Sequence, residues 1–258
     1  MVKVPAGAFT MGSGALDTIE KPTHRVYLSE YYMDKCEVTN RQFKRFCDAT
    51  GRGSRRHLLF WRRDHYPPDP GFAGVPNYFV SYPDYPVVNV SWEDAQAYAV
   101  WAGKSLPTEA QWEKAARGTE AREYPWGDSG PSGARCNFAD RTLALQSTDQ
   151  GQRDLCDTSS GDRYAWTAPV GSYPAGASPY GCLDLAGNVW EWCRDWYGWY
   201  RTDEEVSTDP QGPTSGEYRV ARGGCWRREA RLLRCAYRHP GGLEDRVVTL
   251  GFRCAVAP

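Results

Sequence analysis

Beyond Gly118 the chain keeps neither a helical nor a strand period for long, and no other feature constrains its fold as much. Turn formers interrupt every apolar run, so the second half can build only short strands joined by loops. A helical bundle is thereby excluded. With 26 Gly and 18 Pro breaking up a chain that carries 11 Trp and 16 Tyr, burial has to come from large aromatics held on irregular backbone. The pattern predicts short strands at Val189–Trp192, Tyr218–Arg222 and Leu250–Ala255.

The first half is more regular. Val2 to Met11 reads as one arm of a hairpin ending at Gly12-Ser13-Gly14, with short strands following at His24–Leu28 and Tyr31–Met33. Thr39-Asn40-Arg41-Gln42 is a capping box that opens a helix with Phe43, Phe46 and Cys47 on one face and Gly51 at its end. Ser91-Trp92-Glu93-Asp94 opens a second, with Ala95, Tyr98, Ala99 and Ala102 inward and Gly103 as its stop. Thr108-Glu109-Ala110-Gln111 opens a third, in which Trp112, Ala115 and Ala116 pack before Gly118. That makes about three helices, all in the first half. Between the first two, Arg52 to Pro86 reads as a long ordered insertion whose Arg55, Arg56, Arg62, Arg63 and His65 form a solvated basic face. No linker or internal repeat divides the chain, so a single α+β domain over residues 1–258 is expected.

A net charge of −1 argues against a polyanion partner such as nucleic acid. No run approaches the roughly 18 apolar residues of a membrane span, and the start Met1-Val2-Lys3-Val4-Pro5 lacks a signal-peptide core, so a cytoplasmic location is expected. The nine cysteines form no CxxC pair, which removes the structural zinc ribbon, and Cys136 with Cys156 is the expected disulfide. The histidines His24, His57, His65 and His239 form no HxH or HxxxH pair, and no Gly-x-Ser-x-Gly elbow marks a serine hydrolase.

Several segments together resemble the formylglycine-generating enzyme (sulfatase-modifying factor) family. They are Pro5-Ala6-Gly7-Ala8-Phe9-Thr10-Met11-Gly12-Ser13, Glu37-Val38-Thr39-Asn40, Pro86-Val87-Val88-Asn89-Val90-Ser91-Trp92 and Leu106-Pro107-Thr108-Glu109-Ala110-Gln111-Trp112-Glu113. Tyr124-Pro125-Trp126-Gly127, Gly187-Asn188-Val189-Trp190-Glu191-Trp192 and a C-terminal frame of Arg222-Gly223-Gly224-Cys225-Trp226, Arg234-Cys235-Ala236-Tyr237-Arg238 and Gly251-Phe252-Arg253 complete the series. The resemblance implies an elaborated C-type-lectin-like fold with few helices, short strands and much irregular structure. It also implies two copper-binding cysteines between the Arg222 and Arg238 segments, where this chain has Trp226 to Arg234 and none. Copper(I) needs soft thiolates, which arginines cannot replace, so copper is not expected. Cys235 and Cys254 match one partner of each family disulfide; the opposite positions match Ala116 and Ala99.

The C-terminal region 222–253 is also similar to the variable regions of diversity-generating retroelement proteins, with Cys225 where serine is usual. There a frame of packing residues holds diversified positions. Arg227-Arg228-Glu229 and His239 to Asp245 read as exposed loops on that frame. The positions expected to meet a protein or small-molecule ligand are Trp226, Arg227, Arg228, Leu232, Tyr237, His239, Gly241, Asp245, Val247, Val248 and Thr249. The positions read as variable are Arg227, Arg228, Leu232, Tyr237, His239, Pro240, Gly241, Gly242, Asp245, Val247, Val248, Thr249 and Leu250, and none is a residue type that adenine mutagenesis of an AAC codon excludes; Glu229 and Glu244 are excluded types, and belong to the frame. Trp226 is expected to serve the core as well. The resemblance further implies structural calcium at Asn137 and Asp162 with the carbonyls of Phe138 and Tyr164, and at Asp184 and Glu191 with those of Gly187 and Val189. A non-catalytic ligand-binding protein fits this pattern best. A copper oxidase acting on protein cysteines and a structural or regulatory module remain as alternatives.

Overall fold

The computed structural model describes residues 1–14, 18–52, 82–200 and 206–258. The basic face expected at Arg55 to His65 lies outside them. The chain begins with β1 (Val2–Val4), β2 (Gly7–Met11), β3 (His24–Leu28) and β4 (Tyr31–Met33). β2 pairs antiparallel with β3 from Gly7↔Leu28 to Met11↔His24, and β1 pairs with β4. The expected hairpin is thus a nested pair of ladders.

Three capped helices follow: α1 (Asn40–Thr50), α2 (Trp92–Trp101) and α3 (Glu109–Arg117). Each opens with a complete capping box, Thr39 with Gln42, Ser91 with Asp94 and Thr108 with Gln111, and each cap is worth about 1 kcal/mol. Gly51 closes α1 in the left-handed region at φ 67°. The inward faces are those the periodicity predicts: Phe43 and Phe46, then Ala95, Tyr98 and Ala99, then Trp112, Ala115 and Ala116.

Two short helices stand where only turns were expected, α4 (Arg141–Gln146) and α5 (Gln150–Asp154). Asp140 caps the first through the amides of Thr142 and Leu143, and Asp149 caps the second through that of Gln152. At six and five residues they are too short to display an apolar period, which is why the sequence hides them. They fill the segment between Cys136 and Cys156, and the expected disulfide there is not formed. Both are thiols; Cys136 Sγ faces the Ser132 carbonyl and Cys156 Sγ the Gln152 carbonyl.

The remaining strands are β5 (Trp190–Trp196), β6 (Val206–Thr208), β7 (Tyr218–Arg222), β8 (Arg238–Gly242), β9 (Leu250–Gly251) and β10 (Ala255–Val256). They complete three sheets, ordered β1-β4-β10, β2-β3-β6 and β8-β7-β5-β9. β5 runs longer than expected, and the strand predicted over Leu250–Ala255 divides into β9 and β10. The expected exposed loop at His239 to Asp245 is half strand: Arg238 to Gly242 pair with β7 from Arg222↔Arg238 to Tyr218↔Gly242. Pro240 and two glycines disguise it, yet β8 is an edge strand, where a missing N–H costs no ladder bond.

Two clusters form most of the core. One joins α1 and α2 to Trp190, Trp192, Cys225, Leu250 and Phe252; the other joins β1 to β4 and α3 to Leu185, Cys193, Val220 and Cys235. Burying a Phe or Leu side chain of this kind stabilises by about 1.5–3 kcal/mol.

Candidate functional site

The frame is built on buried ion pairs. Arg238 donates to both carboxylate oxygens of Glu109 at 2.6 Å, and Arg253 to both of Glu191 at 2.7 Å. Arg234 meets Glu20 at 2.8 and 2.6 Å, and Arg222 pairs with Glu113. All eight groups are at most 3 % exposed, so each guanidinium replaces its lost hydration with a carboxylate. Glu109 and Glu113 come from α3, which is how a helix of the first half fixes strands of the last quarter. The Arg238 guanidinium also lies 4.0 Å from the Tyr200 ring centroid and 4.9 Å from that of Tyr197.

Out of β7 the chain turns through Gly223 and Gly224, at φ 96° and 75°. A Cβ on Gly223 would approach the Trp112 ring at 3.2 Å, so glycine is needed for conformation and for space. The turn Cys225–Arg228 follows, pinned by Trp226 N–H to the Asn188 carbonyl (2.9 Å) and by Ala139 N–H to the Arg228 carbonyl (3.1 Å). Trp226 is core, edge-on to Trp166 with centroids 5.1 Å apart. Gln152 of α5 clamps the next residue: Arg227 Nε donates to its side-chain oxygen at 3.0 Å, and its amide donates to the Arg227 carbonyl at 2.9 Å.

The positions expected to face a ligand therefore divide. Leu232 and Val248 are buried, and Gly241 lies under the Trp192 ring, which an added Cβ would strike at 2.3 Å. With Trp226 these belong to the packing. Arg227, Arg228, Tyr237, His239 and Thr249 are half-buried, while Asp245 and Val247 are exposed. Tyr237 and His239 both rest on Trp190, with ring centroids 5.9 and 4.9 Å apart. Thr249 accepts the Trp190 N–H through its carbonyl at 2.8 Å, bringing the 247–249 segment to the same place. Burial and the nearby charge of Arg228 hold the His239 imidazole below its ordinary value, so it is neutral at pH 7.

The cysteines flanking this turn do not form a pair. Cys225 packs with Trp190 and Leu250, Cys235 with Trp112 and Ala116, in separate clusters. Both are fully buried, and burial pushes their thiols up to about 11 and about 12. Buried in separate clusters, the two sulfurs do not present a pair of thiolates to one ion, so this donor set does not fit copper. Cys254 shares its cluster with Ala99, as Cys235 does with Ala116.

Two oxygen-rich loops adjoin the frame. Asn137 Oδ1 is buried without a hydrogen-bond partner among the described residues, while the Asp162 carboxyl accepts the Tyr164 and Phe138 amides at 2.9 and 3.0 Å. Burial raises that carboxyl to about 7. In the second loop Asp184, at φ 59°, accepts the Gly171 amide at 2.6 Å, and Glu191 is held by Arg253 and by the Trp112 indole at 2.7 Å. Glu37 joins them beside Asp184: one oxygen accepts from Asn188 at 2.9 Å, and the other, also buried, receives no N–H donor among the described residues. Burial first, then the neighbouring carboxylates, pushes Glu37 up. Orphaned oxygens in both loops suit a hard cation. Among the described residues no three His, Cys, Asp or Glu side chains converge on one metal position, so backbone carbonyls such as those of Gly187 and Val189 would have to complete a cation shell.

Residues 1–258 match the sulfatase-modifying factor enzyme 1-like domain. The chain belongs to the formylglycine-generating enzyme family. The formylglycine-generating enzyme of Thermomonospora curvata is 36% identical over 296 residues, covering 100% of this chain and 93% of that enzyme. Among solved structures, PvdO from Pseudomonas aeruginosa superposes with a TM-score of 0.71 at 26% identity, covering 98% of this chain and 92% of that one. Treponema denticola variable protein 1 superposes with 0.68 at 22%, covering 100% and 95%, a likeness of fold. The family member described here has their C-type-lectin-like architecture. It also matches the serine/threonine-protein kinase pkn1 of Chlamydia caviae, at 38% identity over 99% of this chain, but spans only 37% of that protein's length. No helix among the described residues is long and apolar enough to cross a membrane.

Three residues central to this geometry escape sequence reasoning: Gln152, Trp190 and Glu37. Each acts across a long sequence gap, Gln152 on Arg227, Trp190 beneath His239 and Glu37 towards Asp184. Glu37 and Trp190 carried a signal only as members of the Glu37-Val38-Thr39-Asn40 and Gly187-Asn188-Val189-Trp190-Glu191-Trp192 motifs, and Gln152 carried none.

Proposed function

We propose that this member of the family is a non-catalytic binding protein that presents Arg227, Arg228, Tyr237, His239, Asp245, Val247 and Thr249 to a protein or small-molecule ligand. The observation that carries the reading is the placement of Cys225 and Cys235: fully buried and in separate clusters. Oxygen activation of the family type requires two thiolates on one copper ion, and the intervening turn offers arginines and leucines instead. The four buried arginines of its frame, meanwhile, are each paired with a glutamate, which favours holding a recognition surface rigid. The experiment is copper-dependent oxygen uptake with a cysteine-containing peptide. No uptake above the protein-free rate is expected; uptake abolished by Cys225→Ala or Cys235→Ala would overturn the reading.

The finer form of the proposal is that the surface is diversified by a retroelement. The likeness to Treponema denticola variable protein 1, a likeness of fold, is compatible with it. Its test is genomic: a near-copy of the segment encoding Arg222 to Arg253, differing at adenines, beside a reverse transcriptase. Without both, the chain remains a binding protein of fixed sequence.

Calcium enters this reading as a structural ion. Asn137 and Asp162 with the carbonyls of Phe138 and Tyr164 would hold one, and Asp184 and Glu191 with the carbonyls of Gly187 and Val189 another. Its chemistry there is charge neutralisation of buried oxygens. Thermal unfolding in calcium and in chelator tests it; a rise of several degrees with calcium is expected, and none would remove the ion from the proposal.

A further inference from the structure

The turn Trp226–Arg228 carries more donors than its surroundings answer. Among the described residues Arg227 has only the neutral side-chain oxygen of Gln152 as acceptor, and its guanidinium carbon lies 5.7 Å from the Trp226 ring centroid. Among the described residues, no hydrogen bond or ion pair engages the guanidinium of half-buried Arg228. The buried Trp226 indole N–H, in the same turn, also has no acceptor among the described residues. The acidic neighbours are committed elsewhere: Glu229 to Arg231 at 2.5 Å, and Asp245 to the Gly242 amide at 2.8 Å. A partly dehydrated guanidinium without a carboxylate is an anion-accepting position.

The charge of the anion can be argued. Arg227 and Arg228 against Asp245 leave one net positive charge, the Glu229–Arg231 pair cancels, and His239 is neutral at pH 7. That balance matches a monoanion better than a phosphate dianion. Beside the arginines, Tyr237 and His239 lie on Trp190 and offer an aromatic surface to an apolar group.

We infer that this surface takes a ligand bearing a single carboxylate on an apolar or aromatic body, with Arg227 and Arg228 on the carboxylate and Tyr237 and His239 against the body. The inference rests on the binding reading above and gives it a ligand class. Gln152 is a positioning residue, since its clamp fixes the direction of Arg227.

The probes are phenylacetate and its neutral isostere phenylacetamide, with N-acetyl-Ala-Phe and its amide as a peptide pair, titrated by calorimetry against the whole chain. Saturable binding of at least one acid is expected, about tenfold tighter than its amide and weakening from about 0.05 to about 0.5 M salt. Preference for the free acid or for the peptide identifies the source of the carboxylate. Arg228→Gln and Arg227→Gln should each weaken the acid about tenfold, Gln152→Ala less, and Arg231→Gln not at all. Thermal unfolding checks that each variant is folded; if Arg228→Gln is not, the acid-to-amide ratio and the salt dependence of the unaltered protein decide. Equal binding of acid and amide, acid binding that survives loss of both arginines, or no saturable acid binding would each overturn the inference. In the first case, amide binding lost in Tyr237→Ala would leave the binding reading standing. Copper-dependent oxygen uptake would instead overturn that reading itself.

Discussion

Arg222 and Arg228 stand six positions apart and live in opposite electrostatic surroundings. The first, with Arg234, Arg238 and Arg253, is buried against a glutamate; the second, with Arg227, is half-buried and pairs with no carboxylate among the described residues. Identical side chains thus serve to lock a scaffold in one place and to leave a surface receptive in the other. For Arg222 and Arg238 the difference lies in α3, whose Glu109 and Glu113 reach the frame strands, while Glu20 and Glu191 serve Arg234 and Arg253.

The largest test breaks the locked side. Arg253→Met strands Glu191 in a fully buried site, and a loss of about 3–5 kcal/mol is expected in denaturant unfolding. A loss below 1 kcal/mol would mean the pair is not as dehydrated as its geometry requires. Gly241→Ala comes next: its Cβ would meet Trp192, and about 1–3 kcal/mol should be lost by the same measurement. Unchanged stability would return Gly241 to the displayed loop and contradict β8.

A third test uses pH. Burial first, then Glu109, raises the Asp195 carboxyl from 3.8 to about 7. The folded state therefore holds this proton between those values while the unfolded chain has released it, so Asp195 contributes stability below pH 4 that fades as pH rises through about 7, at no more than about 1.4 kcal/mol per unit. Asp195→Asn should flatten that decline, seen as melting temperature against pH. A wild-type curve that climbs over this window even after subtracting the Asn variant would contradict the assignment. The smallest effect sharpens the receptive side: Arg228→Gln should change stability by less than about 0.5 kcal/mol, because no ion pair is lost. A larger loss would place Arg228 with the frame.

Legibility in the sequence followed the range of the interactions. Thr39, Ser91 and Thr108 announce their helices because capping is settled within four residues, and Phe43, Tyr98 and Trp112 then fall on the buried faces. The C-type-lectin-like fold was legible from motifs in series along the chain. Short or disguised elements were not: Asp140 and Asp149 cap helices too brief to show a period, and Pro240 masks a strand that is permitted only by its edge position. At the surface, Arg227 and Arg228 were legible as residue types, but the partner set that separates them from Arg222 comes from α3 and α5, more than 70 residues away. The same holds for Leu232 and Val248, whose burial depends on elements with which they share no local pattern.

Strand β4 has a consequence of another kind. Met33 faces Val2 on one side and Ala255 on the other, so a single early strand waits between neighbours separated by nearly the whole chain. On a ribosome, its second edge stays open until residue 255 has emerged. Sheet closure is therefore a late event of synthesis, and the turn at Arg227 and Arg228 will have left the exit tunnel only shortly before the scaffold beneath it is sealed.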